Sequence, residues 1–122
     1  MVKKWLLAFT LMFPLFAFGF LEKGEAAAYI SPPSQTIYGS QAVAKWNFSW
    51  SGTSPFKIYF RTDTTNGYTL INARSTSLSM SYQREYSSSA SYVSYTPGLL
   101  VEDNNGHLQV ASAKVYKYLT RP

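Results

Sequence analysis

Residues 95–106 read YTPGLLVEDNNG. Tyr95, Leu99 and Val101 share one parity, so they face one side of an extended chain while their neighbours face the other, the pattern of a half-buried β-strand. The run then meets Asp103, Asn104, Asn105 and Gly106. Asn tolerates a positive φ, Gly takes one at no steric cost, and Asp can bond the backbone of the turn, so the segment predicts a strand followed by a tight hairpin. That pairing of elements sets the period to look for on either side.

The same period of two continues outward. The segment after the hairpin, HLQVASAKVYKYL (107–119), reads as a last strand with Val115 inward. Upstream, AVAKWNFSW (42–50) puts Ala44, Trp46, Phe48 and Trp50 on one face and Lys45, Asn47 and Ser49 on the other. SGTSP (51–55) turns the chain, and FKIYFR (56–61) alternates again, with Phe56, Ile58 and Phe60 inward. DTTNG (63–67) is the next turn, YTLIN (68–72) the next strand, and SLSMSYQ (77–83) keeps Leu78, Met80 and Tyr82 in step. REYSSSAS (84–91) is polar and reads as a loop or a ragged strand. Ahead of all these, Pro32 and Pro33 forbid helix and leave an extended lead-in with a short edge strand at Gln35 to Tyr38. No helical period follows Ala28. Six or seven short strands divided by Gly, Pro, Ser, Asn and Asp clusters predict an all-β sandwich of about seven antiparallel strands, two sheets hiding one face each in a shared core.

The first 28 residues have a different character. Lys3 and Lys4 precede an apolar run from Trp5 to Leu21, and Ala26, Ala27 and Ala28 close it. This is the layout of a secretory signal peptide, expected as a helix over residues 1–28 and cut after Ala28. Its rival is a retained membrane anchor, since the run approaches the ~20 residues a span needs. Pro14 and Gly19 interrupt it, and the small residues follow at once. Residues 29–122 are then one domain, in which eight Lys and Arg outnumber four acids. A chain of this size needs a dense core, and with no cysteine the aromatics must supply it. Export without disulfides suits a Gram-positive bacterium, and the expected location is extracellular or cell-wall associated.

YTPGLLVEDNNG resembles the penultimate strand of immunoglobulin-like domains of the polycystic-kidney-disease type, and WSGTSPFKIYF (50–60) is similar to the same family's Gly- and Pro-led third strand. The resemblance spans roughly Ser40 to Leu119. It implies that Tyr95, Leu99 and Val101 face the core, that Asp103 and Gly106 make the turn, and that the domain is an immunoglobulin-like sandwich used as an accessory binding or spacing module. Where the family carries Trp-Asp-Phe-Gly-Asp-Gly after the third strand, this chain has RTDTTNG (61–67).

Catalytic chemistry finds few carriers. His107 is the one histidine, and no Gly-x-Ser-x-Gly elbow exists to build a triad around it. Of the carboxylates Asp63, Glu85, Glu102 and Asp103, the adjacent Glu102 and Asp103 point to opposite faces and make a poor acid–base pair. EDNNG and DTTNG offer oxygens for calcium, but a plain turn needs the same residues, and zinc and phosphate-loop signatures are absent. No enzyme activity, cofactor, metal or nucleic-acid partner is expected, and no membrane contact after the leader is cut. What remains is basic and aromatic. In a sandwich the third and last strands share a sheet. Lys57, Tyr59, Arg61, Lys114, Tyr116 and Tyr118 are therefore expected on one exposed face, around Leu100, as a ligand-binding surface. The expected role is a secreted, non-enzymatic module binding anionic cell-wall polymer or glycan at the cell surface. A secreted antibacterial effector, a protease inhibitor, or a biofilm or coat component are the alternatives.

Overall fold

The computed structural model describes residues 27–121. The expected signal helix therefore lies outside the described residues, apart from Ala27 and Ala28. Ten strands follow in order: β1 (Tyr29–Ser31), β2 (Ser34–Tyr38), β3 (Gln41–Ser49), β4 (Phe56–Arg61), β5 (Thr69–Ser75), β6 (Ser79–Ser87), β7 (Tyr92–Tyr95), β8 (Gly98–Glu102), β9 (Leu108–Ser112) and β10 (Lys114–Tyr118). No helix occurs among the described residues.

One layer is the sheet β1–β3–β6. The other consists of β9–β8–β4–β5 and β2–β10–β7, which run into each other. Ser112 faces Gly98 and Val115 faces Tyr95, so three steps along one strand match three steps back along the other, and the register is unbroken. Only Thr96, Pro97 and Ala113 interrupt the ladder. Pro97 has no N–H to give, yet its carbonyl still accepts from Ala113 N–H at 3.1 Å. One pair departs from the antiparallel expectation: β2 runs parallel to β10. The cause is the Pro32–Pro33 corner, which carries the chain from the first layer to the second, where the Pro33 carbonyl accepts Lys114 N–H at 2.9 Å.

The alternation read from sequence fills the space between the layers. Phe48, Phe56, Ile58, Leu99, Val101 and Val115 are fully buried, with Phe60, Trp46 and Trp50 nearly so. Trp46 packs against Phe48, Phe60, Tyr82 and Tyr86, with ring centroids 5.3 to 6.5 Å apart. Rings at that spacing combine large buried area with favourable edge and offset contacts.

One local expectation needs correction. Leu78, read as inward, is exposed, because β6 begins only at Ser79 and the Leu78 carbonyl is held by Trp50 N–H at 3.1 Å. Of the two readings left open for REYSSSAS, the strand holds as far as Ser87, where β6 ends after burying Tyr86. The Tyr86 hydroxyl crosses between the sheets to donate to the Thr62 carbonyl at 2.9 Å, and burial pushes its ionisation well above the ordinary tyrosine value. Lys117 shares the parity of Val115 and is completely buried, its Nζ donating to the Ser88 carbonyl at 2.9 Å. A long apolar stem lets the ammonium reach a carbonyl at the end of the sheet, which makes burial of the stem tolerable.

Candidate functional site

The turns singled out for metal chemistry are structural. In the β8–β9 hairpin Asp103 is buried and takes three backbone N–H bonds, from His107 at 2.8 Å, Asn105 at 3.0 Å and Thr53 at 3.2 Å. Burial alone would raise its carboxyl, but those donors, with His107 beside it, outweigh burial and hold it below its ordinary value. Gly52 makes the approach possible, since a Cβ there would sit 2.7 Å from Asp103 Oδ2. At the other end of β4, Asp63 Oδ1 accepts Thr96 N–H at 2.7 Å, supplying a partner where β4 peels away from its neighbour. Both carboxylates are thus occupied by the chain's own donors. Among the described residues no three His, Cys, Asp or Glu gather as a metal site. Two surface hollows, of about 340 Å³ beside Lys45 and Gln83 and about 280 Å³ beside Asn66 and Arg84, have neither carboxylate nor imidazole in their walls.

The six residues expected to form a ligand-binding face all lie on the outer side of the second layer, but spread along it. Lys57 is level with Glu102 and Leu108, and Arg61 with Gly98 and Ser112. Tyr118 lies ten residues beyond Leu108 along the β9–β10 line, on the order of 30 Å away at strand rise. Several are engaged locally. The Arg61 guanidinium covers the Tyr68 ring at 4.7 Å, and its Nε lies where a Gly98 side chain would come within 3.0 Å. Lys114 Nζ donates to Thr96 Oγ1 at 2.9 Å, and Tyr118 packs on Tyr38 and Tyr92.

Through the first trio, between Lys57 and Arg61, the register lines up an apolar row that sequence reasoning did not collect: Val110 faces Leu100, Leu100 faces Tyr59, and Tyr59 faces Leu70. Val110 is 66% exposed and Leu70 47%, while Leu108, next but one to Val110, is 64% exposed. The row ends at β9, which pairs with no strand beyond β8, although β1 of the other layer lies close to it. Hydrogen bonds from Asp103 N–H to the His107 carbonyl and from Ala113 N–H to the Pro97 carbonyl put the ladder bonds on odd-numbered residues of this strand. In an antiparallel pair the bonding positions alternate, so the N–H and C=O groups of Leu108, Val110 and Ser112 point away from β8. The odd residues are anchored inward: Gln109, 3% exposed, takes Ser51 N–H on Oε1 at 3.0 Å and gives Nε2–H to the Ser51 carbonyl at 2.7 Å.

The other sheet edges are blunted. β1 and β7 are three and four residues long. β2 follows two prolines, and its Gln35 side chain bonds both backbone groups of Lys45. β5 has two register shifts against β4 and carries Arg74. β6 carries Arg84 and Glu85, and Arg84 stands opposite the fully buried Ala44, a charge at an inward position. Short edges, prolines, bulges and inward charges all discourage an added strand. The β9 sequence, LQVAS, contains none of these devices.

An all-β, sandwich-like domain with an apolar, uncharged edge at β9 is the class that the fold and this geometry define. No family model matches the chain, and no curated protein matches it in sequence. Among solved structures it is similar to a superoxide reductase (neelaredoxin) from Ignicoccus hospitalis, at 12% identity and a TM-score of 0.51 over 78% of this chain and 83% of that one. A second structure of superoxide reductase (neelaredoxin) from the same organism matches with 12% identity and a TM-score of 0.49, over 75% and 80% of the two chains.

The first of these structures overturns the expected role. That role, a non-enzymatic cell-surface module for anionic cell-wall polymer or glycan with its effector, inhibitor and coat variants, rests on the basic and aromatic outer face and on reading the sandwich as an accessory module, and the same architecture occurs in a reductase. The likeness extends to the fold alone. Reduction of superoxide is one-electron chemistry, which calls for a redox-active metal or organic group. With no cysteine, one histidine and no cluster of three ligand-type residues among those described, this chain's donor set does not fit such a centre. His107, the one imidazole, is 67% exposed and faces an Asp103 already filled by backbone donors.

Proposed function

We propose that the protein is an exported, immunoglobulin-like sandwich that acts by protein–protein association, accepting an extended segment of a partner along β9. The immunoglobulin-like reading is supported by the grouping of β1–β3–β6 against β5–β4–β8–β9, the arrangement of such domains with the third, penultimate and last strands in one sheet. Export is supported by the leader-like layout of residues 1–28. One observation carries the functional reading: among the described edge strands longer than four residues, β9 is the one that combines outward backbone groups with exposed apolar side chains and no charge, proline or bulge. Strand addition uses such an edge, the main chain providing affinity and alternate side chains providing selectivity.

The test uses the protein's own copies as the source of a strand, since an edge open to a partner also pairs with itself at high concentration. Sedimentation velocity should reveal concentration-dependent dimers, and hydrogen exchange at Leu108, Val110 and Ser112 should slow as they form. Val110→Lys should weaken dimerisation by about tenfold or more, because two ammonium groups would meet across the seam. A protein that stays monomeric near millimolar concentration, with the three amides exchanging freely, would refute the proposal.

A further inference from the structure

We infer that the segment β9 accepts is β9 of a second copy, added antiparallel about a two-fold axis at Val110; this rests on the strand-addition reading above. The strand is five residues long with Val110 at its middle, and its outward backbone groups belong to Leu108, Val110 and Ser112. In an antiparallel pair the outward residues of one strand must meet outward residues of the other, and each such pair exchanges two hydrogen bonds. Turned end for end, LQVAS presents outward residues at the same spacing. Val110 opposite Val110 is the register in which all of them find partners, Leu108 and Ser112 facing each other across the seam, for about six bonds in total. A slip of two residues leaves one outward residue of each copy without a strand partner. A slip of one sets outward groups against residues already bonded to β8.

The side chains favour the same register. The apolar row of Leu70, Tyr59, Leu100 and Val110 stops at a valine that is 66% exposed. With Val110 of the second copy opposite, the row runs on through the same residues in reverse, and each valine is covered by a branched apolar neighbour. Leu108 meets Ser112 on that outer face and Gln109 meets Ala111 on the inner one, so no like charges oppose each other in the seam. β1 of the other layer lies close to β9 but pairs with β3, so it occupies none of these ladder positions. The sheet β9–β8–β4–β5 is thereby continued into its copy across the axis.

The chain has no cysteine, so single substitutions report the register. Residues facing each other as a bonded pair have Cα atoms about 5.5 Å apart, within reach of a disulfide, whereas Leu108 lies roughly 14 Å from Leu108 of the second copy. Under mild air oxidation of the full chain, Val110→Cys should form a disulfide-linked dimer at least about tenfold faster than Leu108→Cys or Ser112→Cys alone. Mixing the last two variants should link them to each other, a second readout that stands even where Val110→Cys folds poorly. If Val110→Cys links to Leu108→Cys or Ser112→Cys in preference to itself, or if all three self-link alike, this pairing is overturned and strand addition at β9 stands. If no variant links, a second copy is not the occupant; a wild-type protein that is also monomeric near millimolar concentration then removes the strand-addition reading as well.

Discussion

β6 and β9 are both edges of the same sandwich, and they are built in opposite ways. β6 runs nine residues and puts Arg84 at a core parity, where its Nη1 bonds back to the Tyr82 hydroxyl at 3.2 Å and its charge stands in the mouth between the layers. β9 runs five residues with no charge, and turns two branched apolar side chains toward water. An exposed edge is common to both, so exposure by itself distinguishes nothing. The difference lies in what would happen to a second strand brought alongside: at β6 it meets a guanidinium that must be desolvated, while at β9 it meets open backbone and apolar surface.

Both edges hang on one aromatic core, so Phe60→Ala, which empties a site 2% exposed between Trp46, Phe48 and Tyr82, should cost about 3 to 5 kcal/mol and lower the melting temperature of the whole domain. Thr62→Ala, whose carbonyl rather than side chain holds Tyr86, should change it little. If the two variants melt alike, the layers are not joined as described.

A second test loosens β9 alone. The folded Asp103 carboxyl ionises below its ordinary value of 3.8, so the stabilisation it lends is fully present above that value and is lost as pH falls through the lower folded value. Thermal stability should therefore drop at the acid end, with hydrogen exchange rising first around Asn105 and His107. Asp103→Asn should remove that acid dependence and lower stability at neutral pH, as an amide cannot accept on both oxygens the three bonds now made. A melting temperature that is flat below pH 4 in the wild type would contradict this account.

Arg84→Val removes the inward charge from β6 and should make that edge associate too, detected as a dimer that persists when Val110→Lys is present. Fold stability should barely change, since Arg84 is exposed and forms no ion pair with any described carboxylate. If the double variant is strictly monomeric, the inward arginine is not what keeps β6 apart.

Much of the fold was legible because alternation is local. A β-strand turns each successive side chain to the opposite face, so the inward assignments of Trp46, Phe48, Trp50, Phe56, Ile58, Phe60, Leu99, Val101 and Val115 follow from short stretches of chain, and all are buried. Tyr86 was hidden by its polar neighbours in REYSSSAS, although it continues the parity of Met80 and Tyr82. The apolar row was not visible in the same way, because Leu70, Tyr59, Leu100 and Val110 come from four segments and become neighbours only through register.

By itself the sequence determined an all-β chain, the face each strand buries, and the hairpin that Asp103 and Gly106 close, since these depend on residues within a turn or two of one another. Tertiary structure decided which strands became edges, that β2 would run parallel to β10, that Lys117 would find a carbonyl at the end of its stem, and that the basic residues of the outer face would stay apart. Each of these is a relation between segments distant along the chain. Main-chain donors and acceptors are chemically alike in every strand, so a segment such as LQVAS carries no mark of whether a neighbour will cover it; only the order of strands in the sheet leaves its backbone open.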